Sequence, residues 1–185
     1  MRTMIRLSVV AMMITLFTAT FVSQPAMAGD TSKLDRAVNN ALKKLCAKSY
    51  AARELSKIAK GVLVFPSVVK VGFLVGGQYG EGALLKGGKT VGYYNTVAGS
   101  YGLQAGAQEF GYVMFFMDTA SLEYLNKSEG WEIGVGPSIV VVDEGMAKSM
   151  TTSTAQKGIY AFIFSQKGLM AGMGLQGSKI SRINP

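Results

Sequence analysis

Apolar residues recur at every third or fourth position between Thr31 and Lys48, and most of the positions between them are polar or basic. This spacing predicts an amphipathic helix with a single apolar stripe. Ser32 and Asp35 have the spacing of a capping box, which would satisfy backbone N–H groups at the start of the helix. The stripe consists of Leu34, Val38, Leu42 and Leu45.

A second, shorter helix is predicted from Ala51 to Ala59. Ser49 precedes it as a suitable N-cap, and Gly61 follows it where a glycine commonly ends a helix. The chain therefore presents two consecutive helices before any strand.

The pattern changes after Gly61, where helical spacing gives way to short runs of β-type residues separated by glycines. Pro66 is expected to stop the first strand, because proline cannot donate a hydrogen bond to a neighbouring strand. Residues 86–89, Lys-Gly-Gly-Lys, predict a hairpin turn. The strands predicted in this region are 61–65, 68–75, 78–85, 90–94, 101–108 and 112–117.

The remainder of the chain predicts one more helix and further strands. The helix is expected from Asp118 to Lys127, with Asp118 or Thr119 as its cap and with Leu122 and Leu125 turned inward. Residues 143–157 are rich in Ser, Thr and Lys and predict a surface loop. The further strands are 131–135, 138–142, 159–164 and 169–173, with a turn at 166–168 and a short edge strand from Ile180.

These elements predict an α+β fold in which N-terminal amphipathic helices pack on a glycine-rich, strongly bent antiparallel β-sheet or barrel. Glycines spaced along β-type sequence suit strands that bend and pack closely. No linker interrupts the pattern, so residues 29–185 are predicted to form a single domain.

The first 28 residues have the pattern of a secretory signal peptide. Arg2 and Arg6 precede an apolar run over residues 7–22, and Ala26-Met27-Ala28 follows as a small-residue cleavage signal. The alternative is a retained membrane anchor, but the run is shorter than the roughly 20 residues that a spanning helix needs. We therefore expect cleavage after Ala28 and an exported protein, in the periplasm, at the outer membrane or secreted.

Positive charge is concentrated in the predicted helices, where eight basic residues stand against two acidic ones between Lys33 and Lys60. Such a face is often simply solvated. On an exported protein it also suits an anionic membrane surface, which attracts each nearby Lys or Arg by about 1 kcal/mol. The apolar stripe of the first helix would then face either the membrane or the core.

Patterns that resemble enzyme motifs lack the context that their chemistry requires. Ser67 and Lys70 fit an S-x-x-K box, but its partner motifs are missing. Residues 83–90 lack the first glycine of a phosphate-binding loop, and glycines 172, 174 and 177 lack the acidic residue that would bind a ribose. The chain has no histidine and its carboxylates are scattered. We expect no catalytic residue, no bound metal and no cofactor.

A long glycine pattern containing a fixed Phe-Pro pair and a lysine closely resembles the signature of the SYLF lipid-binding domain family. It covers nearly the whole chain after residue 28. The residues that carry it are Gly61 to Ser67, Lys70, Gly72, Phe73, Gly76, Gly77, Gly80 and Gly82, then residues 102–108, Gly136, Pro137, Tyr160 and residues 168–172.

The resemblance implies a non-enzymatic module that binds membrane lipids, phosphoinositides in eukaryotic relatives, some of which also bind actin. It implies lipid contact by an amphipathic helix at the start of the domain, which corresponds here to residues 31–48. Two departures stand out: residues 93–96 are Tyr-Tyr-Asn-Thr where the family usually has Trp-x-x-Pro, and Arg182 replaces a common acid.

The leading hypothesis is an envelope domain that attaches to anionic phospholipid, including phosphoinositide-like lipid, through its basic helix, with exposed apolar residues of that helix entering the interface. The alternative is an envelope scaffold that binds a protein partner and contacts lipid incidentally. No nucleic-acid partner is expected. The predicted lipid-binding residues are Lys33, Arg36, Lys43, Lys44, Lys48 and Lys70.

Overall fold

The computed structural model describes residues 31–126, 130–133, 136–142, 157–168 and 177–184. The predicted signal peptide, the strand expected at 169–173 and nearly all of the predicted loop at 143–157 lie outside these residues. The helices are α1 (Thr31–Lys48), α2 (Tyr50–Ile58) and α3 (Thr119–Leu125); the strands are β1 (Gly61–Lys86), β2 (Lys89–Phe116), β3 (Trp131–Glu132), β4 (Ile139–Val141), β5 (Ile159–Gly168) and β6 (Lys179–Ile183).

The described strands form one six-stranded sheet organised around β2. Strand β1 pairs with one side of β2 along almost its whole length, while β5 and β6 pair with the other side. Strand β3 extends the sheet beyond β6, and β4 extends it beyond β5. Every pair is antiparallel except β4 with β5, which is parallel. The predicted α+β class with a bent, mainly antiparallel sheet is therefore confirmed.

Strand β1 is a single strand of 26 residues where the sequence predicted three. Pro66 does not end it, because the register between β1 and β2 shifts between Phe65 and Val68 and the proline lies inside this bulge. A bulge leaves the extra residue out of the ladder, so the missing N–H of proline costs no hydrogen bond there. The predicted strands of β2 likewise merge into one strand of 28 residues.

Close backbone approach explains two of the glycines in β1. A Cβ atom at Gly82 would lie 2.8 Å from the Phe65 ring and would also meet the carbonyl oxygen of Val64. A Cβ atom at Gly72 would lie 2.8 Å from Cα of Gly76, where the strand bends sharply. Neither position has room for a side chain, so the bends of the sheet require glycine at both.

The hairpin between β1 and β2 has the predicted turn. Lys86 pairs with Lys89, and Gly87 and Gly88 between them have φ angles of 55° and 78°. Two consecutive positive φ angles are typical of the tight turn that matches the twist of paired strands. The confirmed turn fixes the register of the two long strands.

The core has two parts, one on each face of the sheet. On the concave face, Phe65, Tyr112, Phe116 and Trp131 belong to one buried cluster. On the opposite face, α1 and α2 cover a second cluster that includes Val64, Ala83, Val113 and Phe115. We call this second side the helix-bearing face.

Three predictions about the ends and edges of elements are wrong. Gly61 does not end α2, whose C-cap is Ala59; it begins β1, and a Cβ atom there would lie 2.9 Å from Leu122. Residues 166–168 belong to β5 and not to a turn. Strand β6 is not an edge strand, since it pairs with β2 on one side and β3 on the other.

Candidate functional site

Helix α1 carries five of the six predicted lipid-binding residues, and all five side chains are exposed. The sixth predicted residue, Lys70, lies apart from these five. It is half-buried on β1, opposite Gln108 of β2. The structure thus gathers one basic face on α1 and leaves Lys70 on another element. The residues of this basic face are Lys33, Arg36, Lys43, Lys44 and Lys48.

The apolar stripe of α1 faces the sheet and not the solvent. Val38 and Leu45 are buried in the cluster of the helix-bearing face, and Leu34 and Leu42 pack against it half-buried. The expectation that apolar residues of this helix enter a membrane is therefore wrong for the folded domain, because they are already committed to the core. The basic face alone remains available on α1.

Asp35 ties α1 to β2. One carboxylate oxygen accepts a hydrogen bond from the Thr90 hydroxyl at 2.8 Å, and the other accepts one from the Tyr93 hydroxyl at 3.2 Å. Burial raises the pKa of Tyr93, and the bond to Asp35 raises it further. The helix begins at Thr31, so Ser32 lies inside it and the predicted capping box is wrong. The acid holds the helix on the sheet instead.

The basic residues of α2 have partners on their own helix. The Lys57 ammonium lies 2.6 Å from the Glu54 carboxylate, and the Arg53 guanidinium lies 5.4 Å from the centre of the Tyr50 ring. Ser49 caps α2 as predicted, accepting a hydrogen bond from the N–H of Ala52. The positive charge of the helical region is therefore presented mainly by α1.

An apolar surface that the sequence did not reveal lies on the long ribbon of β1 and β2. Phe73 is 75% exposed, an unusual degree for a large aromatic side chain, and its neighbours on the ribbon are about half exposed. Soluble proteins seldom present several such side chains together unless the patch contacts a partner or a membrane. We call this surface the ribbon face; its residues are Val69, Val71, Phe73, Val75, Tyr79 and Val97.

The ribbon face continues the helix-bearing face of the sheet. Tyr79 and Ala83 lie four residues apart in β1 with no register shift between them, so their side chains point to the same side. Ala83 packs beneath the helices. Val71 is paired with Ala107, which keeps the alternation of β2 with Val113, also beneath the helices. The helices thus cover this face near both ends of β1 and leave its middle bare.

A flat interval divides the ribbon face. Gly77 and Gly99 are paired across β1 and β2, and a Cβ atom added to either would meet nothing within 4 Å. Neither glycine has a positive φ angle. Packing and backbone conformation therefore do not require glycine here, unlike at Gly72 and Gly82.

The two carboxylates beside the ribbon face each accept a hydrogen bond from a nearby hydroxyl. Tyr79 donates to Glu81 at 2.6 Å, and this bond is the main reason that the pKa of Tyr79 rises to about 12. Ser67 donates to Glu109 at 2.7 Å. Both carboxylates point to the same side of the sheet as the ribbon face and lie between its six uncharged residues and the helices.

The concave face contains a small group of buried polar side chains. The side-chain oxygens of Thr96, Gln108 and Tyr112 are buried, and none forms a hydrogen bond of ordinary geometry. Burial raises the pKa of Tyr112 far above its usual range, and the neighbouring Thr96 hydroxyl opposes the shift. Gln78 donates to Ser178 nearby at 3.4 Å. Buried groups of this kind commonly hold internal water.

An open pocket of about 410 Å³ lies where the start of α1 meets β2 and β6. Thr90 and Tyr93, which bind Asp35, form part of its wall, and Arg182 forms another part. In the described ranges, no group of three His, Cys, Asp or Glu side chains could hold a metal ion. No helix in the described part of the chain is long and apolar enough to cross a membrane.

Comparison with known proteins finds a family match in the second half of the chain. No curated protein matches the chain. Residues 97–184 match the family model Ysc84, described as Las17-binding protein actin regulator. The match covers β2 from Val97 onward and the sequence from there to β6, whereas α1, α2 and β1 lie upstream of it. Residues 97–184 are thus similar to the Ysc84 (SYLF) family, in agreement with the resemblance that the glycine pattern predicted.

Proposed function

We propose that this protein is a non-enzymatic domain that binds anionic membrane lipid through the basic face of α1. The family supports a binding role for the domain. One observation carries the proposal: five exposed basic side chains stand on one helix, which buried apolar residues and Asp35 fix to the sheet. The cations are therefore presented as a fixed array.

The expected mechanism is electrostatic attraction without insertion of α1. Each Lys or Arg near an anionic leaflet contributes about 1 kcal/mol, and the attraction extends over about one Debye length. Because Val38 and Leu45 are buried against the sheet, the helix would have to detach before it could enter the bilayer. Head groups of high negative charge, such as those of phosphoinositide-like lipids, fit this array best.

The site and cell location of binding belong to the same proposal. An exported protein with residues 1–28 removed would meet the lipids of the cell envelope, in the periplasm or at the outer membrane. Lys70 is half-buried on β1 and is not part of the basic face of α1, so we expect it to contribute less than the other five predicted residues.

Co-sedimentation with vesicles tests the proposal. The test variant carries Lys43→Gln, Lys44→Gln and Lys48→Gln in α1, and the control variant carries the same change at the exposed residues Lys157, Lys167 and Lys179. Each of the two variants loses three positive charges. We expect the α1 variant to bind anionic vesicles on the order of 100-fold more weakly than the control, since three cations are lost from the contact. Equal loss in both variants, or wild-type binding to zwitterionic vesicles as tight as to anionic ones, would contradict the proposal.

Protein binding is the second candidate function, because the matching family is described as Las17-binding. Bare apolar surface on the ribbon face also suits a protein partner. A pull-down from delipidated extract tests this candidate: recovery of one partner in stoichiometric amount would favour it, and recovery only when lipid is present would oppose it.

A further inference from the structure

Nothing in the described part of the chain packs over the ribbon face, and the proposed electrostatic contact does not explain its exposure. Its most exposed member, Phe73, extends from the sharp bend at Gly72, and both long strands pass through this region. Removing the apolar area of these side chains from water would be favourable. An occupant that covered this surface would gain the free energy of burying that apolar area.

We propose that the ribbon face is a second membrane contact, which enters the apolar border of the lipid bilayer while the basic face of α1 lies on the head groups. This inference rests on the proposed function and adds the apolar half of the contact. Tyr79 suits the border itself, because its ring is apolar and its hydroxyl is engaged with Glu81.

Charge and position favour a bilayer over other occupants. The six residues of the ribbon face are uncharged, and Glu81 and Glu109, which point to the same side of the sheet, lie between them and the helices. The ribbon face also lies on the same side of the sheet as α1, whose solvent side carries five cations. A partner that contacts both the ribbon face and the basic face of α1 must be apolar in one layer and anionic in the next. An anionic leaflet has these layers in this order.

The relief of the ribbon face also fits an acyl chain. The paired Gly77 and Gly99 expose backbone between Val75 on one side and Tyr79 with Val97 on the other. Since side chains would fit at both glycines, their absence leaves a shallow groove across the ribbon. An extended hydrocarbon chain can lie in such a groove against the backbone.

A fluorescence experiment reports directly on how deeply residue 73 lies in the bilayer. Phe73→Trp places a fluorophore at the most exposed position, and Trp131, the chain's one tryptophan, is buried and gives a constant background. With anionic vesicles we expect a blue shift of the emission and quenching by lipids brominated on their acyl chains. Val141→Trp, at an exposed position on β4, is the control and should show neither change. A bound protein whose residue-73 emission does not change would overturn the proposal.

Isosteric substitutions separate this proposal from the electrostatic one. Val71→Thr with Val75→Thr removes apolar contact from the ribbon face at constant shape and charge, and Val91→Thr with Val141→Thr is the matched control. Threonine favours β-structure, so both proteins should fold. We expect the ribbon variant to bind anionic vesicles about tenfold more weakly than wild type, and the control to bind as wild type does.

The outcomes distinguish the two proposals. If the ribbon variant binds like wild type while the α1 variant is weakened, the membrane role of the ribbon face is wrong and the basic face stands. If the ribbon variant is weakened and the α1 variant is not, the basic face is wrong and the ribbon face stands. A lipid-free blue shift of the Phe73→Trp protein that follows dimer formation in sedimentation would assign the surface to a second copy and overturn the proposal.

Discussion

At the scale of single residues, two acids of the described ranges, Asp118 and Asp35, hold elements of the fold together. Asp118 caps α3 through its bonds to the backbone and hydroxyl of Ser121, and its second oxygen also accepts a 2.7 Å bond from the N–H of Gly158. Asp35 accepts bonds from two hydroxyls of β2. Each acid joins segments that are distant in sequence, and this gives each a measurable effect on stability.

Asp118→Ala should lower the free energy of unfolding by about 2 kcal/mol at neutral pH, since it removes a helix cap and leaves the Gly158 N–H without its acceptor. Hydrogen bonds from the backbone of Ser121 and Gly158 hold the pKa of Asp118 below its usual value of 3.8. Its contribution is therefore complete above that value and is lost as the pH falls through the lower folded-state pKa.

Urea unfolding of wild type and variant across this acid range checks the prediction. The difference between the two proteins should shrink as the pH falls below about 4. A difference that stays constant down to the lowest pH at which both fold would contradict a role for the ionised carboxylate.

Asp35→Ala should destabilise the domain by about 1 to 3 kcal/mol, because the hydroxyls of Thr90 and Tyr93 lose their common acceptor. Glu54→Ala is the matched control: its carboxylate pairs with the exposed Lys57 on the same helix, so its loss should cost under about 1 kcal/mol. Thermal unfolding measures both, and hydrogen exchange should show lost protection in α1. Equal effects of the two substitutions would argue against Asp35 as the tie between α1 and β2.

At the scale of elements, the two long strands are the framework on which everything else depends. Strand β2 pairs with β1 on one side and with β5 and β6 on the other, so a defect in either long strand reaches the whole sheet. The glycines of β1 have unequal roles within this framework. Gly82 is enclosed by Val64 and Phe65, whereas Gly77 faces open space.

Gly82→Ala should therefore cost about 3 kcal/mol, because its Cβ would overlap backbone that cannot move without disturbing the core. Gly77→Ala, five residues away in the same strand, should change stability by less than about 0.5 kcal/mol. Chemical denaturation of the two variants measures the contrast. Similar losses in both would mean that chain stiffness, not space, accounts for glycine in this strand.

At the scale of the whole molecule, charge and apolar surface are divided between two regions on one side of the sheet. The chain has a net charge of +8, and the basic face of α1 concentrates part of it, while the six residues of the ribbon face are uncharged. Salt acts on the first region and hardly on the second, since ions screen charges over a Debye length and do not weaken apolar contact.

Raising the salt from about 0.1 M to about 1 M shortens the Debye length from about 10 Å to about 3 Å. Binding to anionic vesicles should weaken strongly over this range and then reach a plateau. The residual binding should disappear in the Val71→Thr, Val75→Thr protein. Binding that falls to zero with salt in wild type would show that the ribbon face contributes nothing.

Local pattern was sufficient to predict the helices, the hairpin turn and the similarity to the matched family. The stripe of α1, the cap Ser49 and the Gly87-Gly88 turn each depend on neighbours within a few residues, and such interactions are readable in the sequence. The five basic residues of α1 could be identified in the same way. The ends of the strands could not be predicted in this way, because Pro66 is tolerated only through a bulge opposite β2.

The sequence by itself determined that an amphipathic, basic helix precedes a glycine-rich sheet, because helical periodicity and strand glycines are properties of the chain. Only the tertiary structure decided what covers each apolar face. It buries the stripe of α1 against the sheet and leaves Phe73 and its neighbours bare, although both read as equally apolar. The physical reason is that burial depends on where elements pack in space, and the two helices are too short to cover strands of 26 and 28 residues.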